Sequence, residues 1–126
     1  MDYQITTITA AILSLWLIIL SSRVITARRN TNDDKSKETL NRRMRGQANF
    51  IEYTPMMLML LFLAEHASDA NWWLMILAGI FVFARLCHGY AFAFMDHWAF
   101  GRIGGTFMTY FVLMSLALTN LWLVLV

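Results

Sequence analysis

The sequence is poor in charge: Asp, Glu, Lys and Arg make up 14% of its 126 residues, and hydrophobic residues make up 59%. A soluble domain of this size needs a charged exterior, because it can bury only part of its surface. The charges here are too few and too unevenly placed to provide that exterior. The composition therefore excludes an ordinary soluble domain and favours a membrane protein.

Cysteine and proline are almost absent. The one cysteine, Cys87, has no partner for an intrachain disulfide and carries no information about redox compartment. The one proline, Pro55, falls inside an apolar segment, where neighbouring helices can satisfy the freed carbonyl. No Gly-rich phosphate loop, Ser-His-Asp arrangement or paired-cysteine motif occurs, and the histidines are too scattered for a metal site. We therefore expect no bound metal.

Long apolar stretches account for most of the chain. A bilayer core of ~30 Å needs roughly 20 apolar residues in a helix, and four segments reach that length. We predict an all-α membrane protein in which residues 1–126 form one domain, a bundle of four transmembrane helices. The predicted spans are residues 3–27, 42–65, 70–95 and 102–125.

Basic residues are concentrated in the first connection. Seven of the ten Lys and Arg residues lie between Arg28 and Arg45, and the positive-inside rule places this connection in the cytoplasm. Residues 65–71 contain neither Lys nor Arg and are expected outside, together with both termini. Acidic residues interrupt the basic connection, so contact with anionic lipid head groups is favoured over contact with nucleic acid.

The second span opens with a polar stripe. Arg45, Asn49 and Glu52 lie within about 60° of one another on a helix, with Tyr53 beside them. An ionised carboxylate inside the membrane costs on the order of 2.5–3.5 kcal/mol, so Glu52 should face the bundle interior and have a partner. Arg85 in the third span is the candidate partner. One interpretation is therefore a structural ion pair between Glu52 and Arg85 that holds two helices in register.

A binding site is the other interpretation of the stripe. It begins at the cytoplasmic interface and continues inward, as an open pocket would. Arg28, Arg45 and Arg102 are all expected near that interface, and they supply more positive charge than one carboxylate neutralises. Surplus guanidinium groups indicate an anionic ligand. We favour the site over the purely structural pair.

The motif Arg-x-Gln-x-Asn-x-x-Glu-Tyr-x-Pro resembles the MAPEG family, the membrane-associated proteins of eicosanoid and glutathione metabolism. That family includes microsomal glutathione transferases and leukotriene C synthase. Residues 24–29 closing the first span, residues 84–88 in the third and Arg102 opening the fourth support the resemblance. The short chain without a C-terminal extension is similar to the bacterial branch. The residues that carry the motif are Arg45, Gln47, Asn49, Glu52, Tyr53 and Pro55.

The resemblance implies a homotrimer in a bacterial inner membrane, with a glutathione site between neighbouring subunits that opens to the cytoplasm. Glutathione would be the co-substrate, and Arg102 would activate its thiol. His88 and Tyr90 are further candidates for binding it. The positions carried over from the motif and the first span are Arg28, Arg45, Gln47, Asn49, Glu52 and Tyr53.

The function that this resemblance implies is glutathione transfer to lipophilic electrophiles, or glutathione-dependent reduction of lipid hydroperoxides. The apolar substrate would enter from the bilayer. One position departs from the family pattern, because Phe92 stands where a tyrosine is often found one turn after His88. A catalytically weak binding or regulatory membrane protein is therefore the alternative, and a small transporter is a less favoured third.

Overall fold

The computed structural model describes residues 3–69 and 71–126, and this part of the chain is helical without a β-strand. Met1, Asp2 and Ala70, and with them the N-terminus and the first residue of the predicted third span, lie outside the described residues. The elements in chain order are α1 (Gln4–Arg28), α2 (Asp34–Ala67), α3 (Asn71–Ala93), a π-helical turn (Phe100–Gly104) and α4 (Gly105–Leu125).

Within the described residues, three helical segments are long and apolar enough to cross a membrane. They are Gln4–Arg28, Trp72–Ala93 and Phe100–Leu125, the last of which joins the π-helical turn to α4. The remaining helix, α2, differs from these because its first turns are rich in charge and only its later part is apolar.

The first connection is shorter than the sequence predicts. Helix α2 begins at Asp34, before the predicted span start at residue 42, so most of the basic residues expected in a loop lie on helix. Asp33 explains this early start, because its carboxylate accepts a hydrogen bond from the Ser36 N–H at 2.7 Å and caps the helix. Hydrogen bonds from the side chain and the backbone of Ser36 lower the pKa of Asp33.

The core lies where α2, α3 and α4 meet. Met57, Leu61, Phe81 and Leu116 are completely buried there, and α1 packs against them. Gly105 brings α4 close to α3, because a Cβ at this position would lie 2.8 Å from the His88 Cβ. This close approach fixes the turn that precedes α4.

A polar contact joins the opposite end of the bundle. The Glu65 carboxylate, near the end of α2, accepts hydrogen bonds from the Ile5 and Thr6 N–H groups, each at 2.9 Å. It also accepts one from the Thr6 hydroxyl at 2.7 Å. The first N–H groups of a helix have no partner within the helix, and a carboxylate there is favourable. Glu65 therefore caps α1 from another helix.

Glu65→Ala should lower the free energy of unfolding by about 1–3 kcal/mol, because it leaves two part-buried N–H groups without an acceptor. The measurement is equilibrium unfolding of the detergent-solubilised protein in mixed micelles. Glu38→Ala is the control, since Glu38 is exposed on the first turns of α2. Equal stability of the two variants would contradict the capping role.

Candidate functional site

An open cavity of about 430 Å³ lies between α2, α3 and the π-helical turn. Helical periodicity brings its residues together, because side chains three, four and seven positions apart share one face of α2, as do His88 and Phe92 on α3. The lining residues are Arg45, Ala48, Asn49, Glu52, His88, Phe92 and Arg102.

Arg102 is held at two points. Its guanidinium carbon lies 4.8 Å from the centre of the Phe92 ring, and its Nη2 donates to the backbone carbonyl of Asp96 at 2.7 Å. The Arg102 Nε is buried and has no hydrogen-bond partner within the described part of the chain. An oriented guanidinium in the lining of a cavity is suited to an anionic ligand.

The Arg102 backbone lies in the π-helical turn Phe100–Gly104. Such turns are uncommon and are frequent at functional sites. Gly101 allows close packing here, because a Cβ at this position would lie 2.5 Å from the Trp98 ring and 2.8 Å from the Ala91 Cβ. The turn is thus pressed against the end of α3, which brings Arg102 to Phe92.

Arg85 is buried next to this cavity and contacts one of its lining residues, Asn49. Its side chain is 1% exposed, and its Nη1 donates to Asn49 Oδ1 at 2.8 Å. Its Nη2 lies 3.5 Å from the backbone oxygen of Gly105. The hydrogen bond from Nη1 fixes the amide oxygen of Asn49, a residue that lines the cavity.

The predicted ion pair between Glu52 and Arg85 does not form. The ion pairs within residues 3–69 and 71–126 join Lys37 to Asp34 and Arg42 to Asp96. The reason is helical phase: Asn49 faces α3 and receives Arg85, whereas Glu52 lies about 60° further around α2 and is exposed. Glu52 instead contributes to the cavity wall.

Of the predicted site residues, the chain brings together Arg45, Asn49, Glu52, His88 and Arg102 in this cavity. Gln47 faces α1, where its Nε2 donates to the Ser21 hydroxyl at 2.7 Å. Arg28 is exposed on the last turn of α1.

The two tyrosines also lie outside this cavity. The Tyr53 hydroxyl is 2.9 Å from that of Tyr110 on α4. Tyr90 is exposed and stacks on Phe94, with ring centres 5.0 Å apart. Four of the predicted site residues therefore do not line this cavity: Arg28, Gln47, Tyr53 and Tyr90.

The cavity continues into a wider basin of about 720 Å³ that shares Arg45, Phe92 and Arg102 with it. The basin extends along the charged first turns of α2, so the site opens toward the polar end of the bundle. The charged side chains that line the cavity are the guanidinium groups of Arg45 and Arg102 and the carboxylate of Glu52. No group of three or more metal-ligating side chains was found in the described ranges.

The sequence singled out Phe92 only as a departure from the family pattern, and its place in the cavity follows from its helical spacing from His88. One residue that the geometry makes important was missed. Asp96 holds Arg102 through a backbone carbonyl in a segment without regular structure. No sequence pattern signals such a contact.

Comparison with known proteins identifies the group to which the chain belongs. The sequence model of the MAPEG family matches residues 6–122, nearly the whole chain. The chain therefore belongs to the MAPEG family, which confirms the resemblance found from the sequence. No curated protein matches the chain. Membership and the apolar helices together make it an integral membrane protein of a family that includes glutathione transferases.

Asn49→Ala should lower the free energy of unfolding by about 1.5–3 kcal/mol, because the buried Arg85 guanidinium loses its side-chain acceptor. Glu52→Gln should change it by less than about 0.5 kcal/mol, since Glu52 is exposed and makes no ion pair with Arg85. The measurement is the same mixed-micelle unfolding curve for both variants. A Glu52→Gln loss as large as that of Asn49→Ala would show that Glu52 does pair with Arg85.

Proposed function

We propose that this protein is a membrane-bound glutathione transferase or peroxidase that acts on lipophilic electrophiles or lipid hydroperoxides. The observation that carries the proposal is the position of Arg102, whose side chain lines a cavity that also contains Arg45, Asn49 and Glu52. Family membership supplies the class of chemistry.

The donor set matches the groups that glutathione presents. Glutathione has two carboxylates and one ammonium, and the cavity offers two guanidinium groups and one carboxylate. We assign Arg45 to a carboxylate of glutathione and Glu52 to its ammonium group. The Asn49 amide is assigned to one of its peptide groups. Charge-assisted hydrogen bonds of this kind are about twice as strong as neutral ones.

Arg102 would act on the sulfur. An ordinary cysteine thiol has a pKa near 8.5, and a neighbouring cation lowers it by stabilising the thiolate. Each unit of depression corresponds to about 1.36 kcal/mol. The guanidinium is a permanent cation, so the thiol proton leaves to water through the open basin. The thiolate then forms a bond to carbon of the electrophile, whose leaving group departs with the bonding electrons.

The proposal includes a homotrimer with the site completed by a neighbouring subunit. The face of α2 that carries Glu52 also exposes Met56, Met59 and Phe62, and a carboxylate on such a face is costly in contact with lipid. A second copy would cover this face. It would also offer Arg28 and Gln47, Tyr53 and Tyr90, the predicted residues that lie outside the cavity of one subunit.

We further propose that α2 crosses the membrane as the fourth span. Its charged first turns would then lie on the cytoplasmic side, with both termini outside and the site open to the cytoplasm. A bacterial inner membrane is the location that the family resemblance implies.

The alternative is a catalytically weak binding or regulatory member of the family. Phe92 favours it, because its ring contacts Arg102 and presents no hydroxyl to a bound sulfur. A conjugation assay with glutathione and a model aryl halide separates the two functions. Turnover above the uncatalysed rate identifies an enzyme, and glutathione binding without turnover identifies the alternative.

Arg102→Leu should shift the pH profile of bound thiolate absorbance toward higher pH and reduce turnover strongly. Arg102→Lys should retain part of the effect, because the charge remains and the planar fork is lost. Glutathione affinity should change less than rate, since the stabilisation is specific to the charged sulfur. Arg29→Leu, at an exposed basic residue in the first connection, is the control. An unchanged profile in Arg102→Leu would leave Arg102 as a lipid-facing cation.

Native mass spectrometry in several mild detergents should give a trimer. Glutathione at a hundredfold excess over its dissociation constant should stabilise that trimer by about 2.7 kcal/mol, measured as a thermal shift. Monomers or dimers in every detergent would overturn the assembly. A folded trimer without a thermal shift would overturn the site.

A further inference from the structure

Residues 94–98 link α3 to the helical residues that carry Arg102, and they have no regular structure. The segment is fixed at both ends. Arg23 donates to the Ala93 carbonyl at 3.4 Å where α3 ends, and the Arg102 N–H donates to the Trp98 carbonyl at 3.2 Å. Its middle, at Asp96 and His97, is exposed.

Two contacts meet at Asp96 in the middle of this segment. Its carboxylate forms an ion pair with Arg42 of α2, and its backbone carbonyl accepts the hydrogen bond from Arg102 Nη2 at 2.7 Å. Arg42 is itself mostly buried, with 16% of its side chain exposed. One residue thus joins the charged first turns of α2 to the guanidinium at the cavity wall.

The position of the Asp96 carbonyl depends on the ion pair between Asp96 and Arg42. A carbonyl within a helix is held in place by the ladder of backbone hydrogen bonds, whereas one in an irregular segment is held only by its neighbours. If the segment moves, Arg102 loses one of its two fixed points and retains only the Phe92 ring. A long side chain at a membrane interface can then extend toward lipid head groups.

The ion pair is available at neutral pH. The hydrogen bond from Arg42, together with its charge, lowers the pKa of the Asp96 carboxyl below its usual range. The carboxylate is therefore charged over the whole range in which a thiol of ordinary pKa titrates. A thiolate titration can be carried out without protonating Asp96.

We propose that Asp96 is a positioning residue: its ion pair with Arg42, which we call the Arg42–Asp96 clasp, holds the segment so that the Asp96 carbonyl orients Arg102 toward the cavity. The inference rests on the proposed function, in which Arg102 stabilises the glutathione thiolate. It adds that α2 controls the thiol-facing cation through Asp96, which lies outside the lining of the 430 Å³ cavity.

The expected effects are moderate, because the Asp96 side chain is 72% exposed and exposed ion pairs are partly screened. Breaking the clasp should lower the thiolate fraction of bound glutathione about two- to fivefold on the rising part of its pH profile. The glutathione dissociation constant should change by less than about twofold, because the backbone carbonyl and the cavity residues remain.

The experiment compares Asp96→Asn, Arg42→Gln and the double variant with the wild-type full chain in detergent. Asp96→Asn keeps the backbone carbonyl and removes only the charge. The first readout is the pH profile of thiolate absorbance with bound glutathione. The second is amide hydrogen exchange, followed by mass spectrometry, in peptides that cover residues 94–102. Arg29→Gln is the matched control, a basic residue in the first connection outside the clasp.

If the clasp positions Arg102, either single variant should shift the thiolate profile toward higher pH and should speed the exchange of the amides of residues 94–102. The double variant should show no larger shift of the thiolate profile and no faster amide exchange than either single variant, because each single change already removes the same interaction. Arg42→Lys should give a smaller shift of the thiolate pH profile than Arg42→Gln. Arg29→Gln should match the wild type in both readouts.

Failure of the clasp and failure of the function give different results. A wild-type thiolate signal that disappears in Arg102→Leu but is unchanged in Asp96→Asn overturns the clasp alone. Faster exchange with an unchanged thiolate profile also overturns it, since the ion pair would then tie the segment without positioning Arg102. A wild-type protein without any thiolate signal dependent on Arg102 overturns both.

Discussion

The arrangement of three helices depends on satisfying one buried guanidinium. Arg85 is 1% exposed, and a buried charge is costly unless it is hydrogen-bonded. Its Nε has no partner within the described residues, so the two Nη atoms make its hydrogen bonds. Asn49 of α2 and the Gly105 carbonyl at the start of α4 accept from it. The Gly105 carbonyl also accepts from the Thr109 hydroxyl at 2.7 Å, which places a further constraint on the same turn. Displacing any of these helices would leave the guanidinium without its partners.

This constraint at Arg85 explains which side chains line the cavity. With Asn49 held toward α3, the residues one turn to either side of it on α2, Arg45 and Glu52, line the adjacent space. With Gly105 pressed against His88, the π-helical turn that precedes it brings Arg102 onto the Phe92 ring. A single buried charge thus fixes Asn49 on one side of the cavity and contacts Gly105, next to the turn that carries Arg102.

The features that depend on periodicity could be predicted from the sequence. The apolar stretches, the polar stripe of α2 and the family motif were all readable, and family membership is confirmed. The candidate pair of Arg85 with Glu52, the less favoured interpretation, does not form, because helical phase directs Asn49 toward Arg85. The extent of α2 depended on the local cap at Asp33, and the role of Asp96 on an irregular backbone. The cap at Asp33 is a local signal that residue type does carry, whereas the contact at Asp96 depends on a three-dimensional arrangement that it does not.

The position of Glu52 links the site to the proposed assembly. Its carboxylate lies exposed beside apolar side chains on α2, where contact with lipid would cost on the order of 2.5–3.5 kcal/mol. Arg85 does not offset that cost, because it is already bonded to Asn49 and lies near Gly105. A neighbouring subunit could exclude lipid from this face, and the ammonium group of glutathione could supply the missing positive charge. Under the proposed assembly, the residue that makes α2 unsuitable for lipid contact is the same one that recognises the ligand.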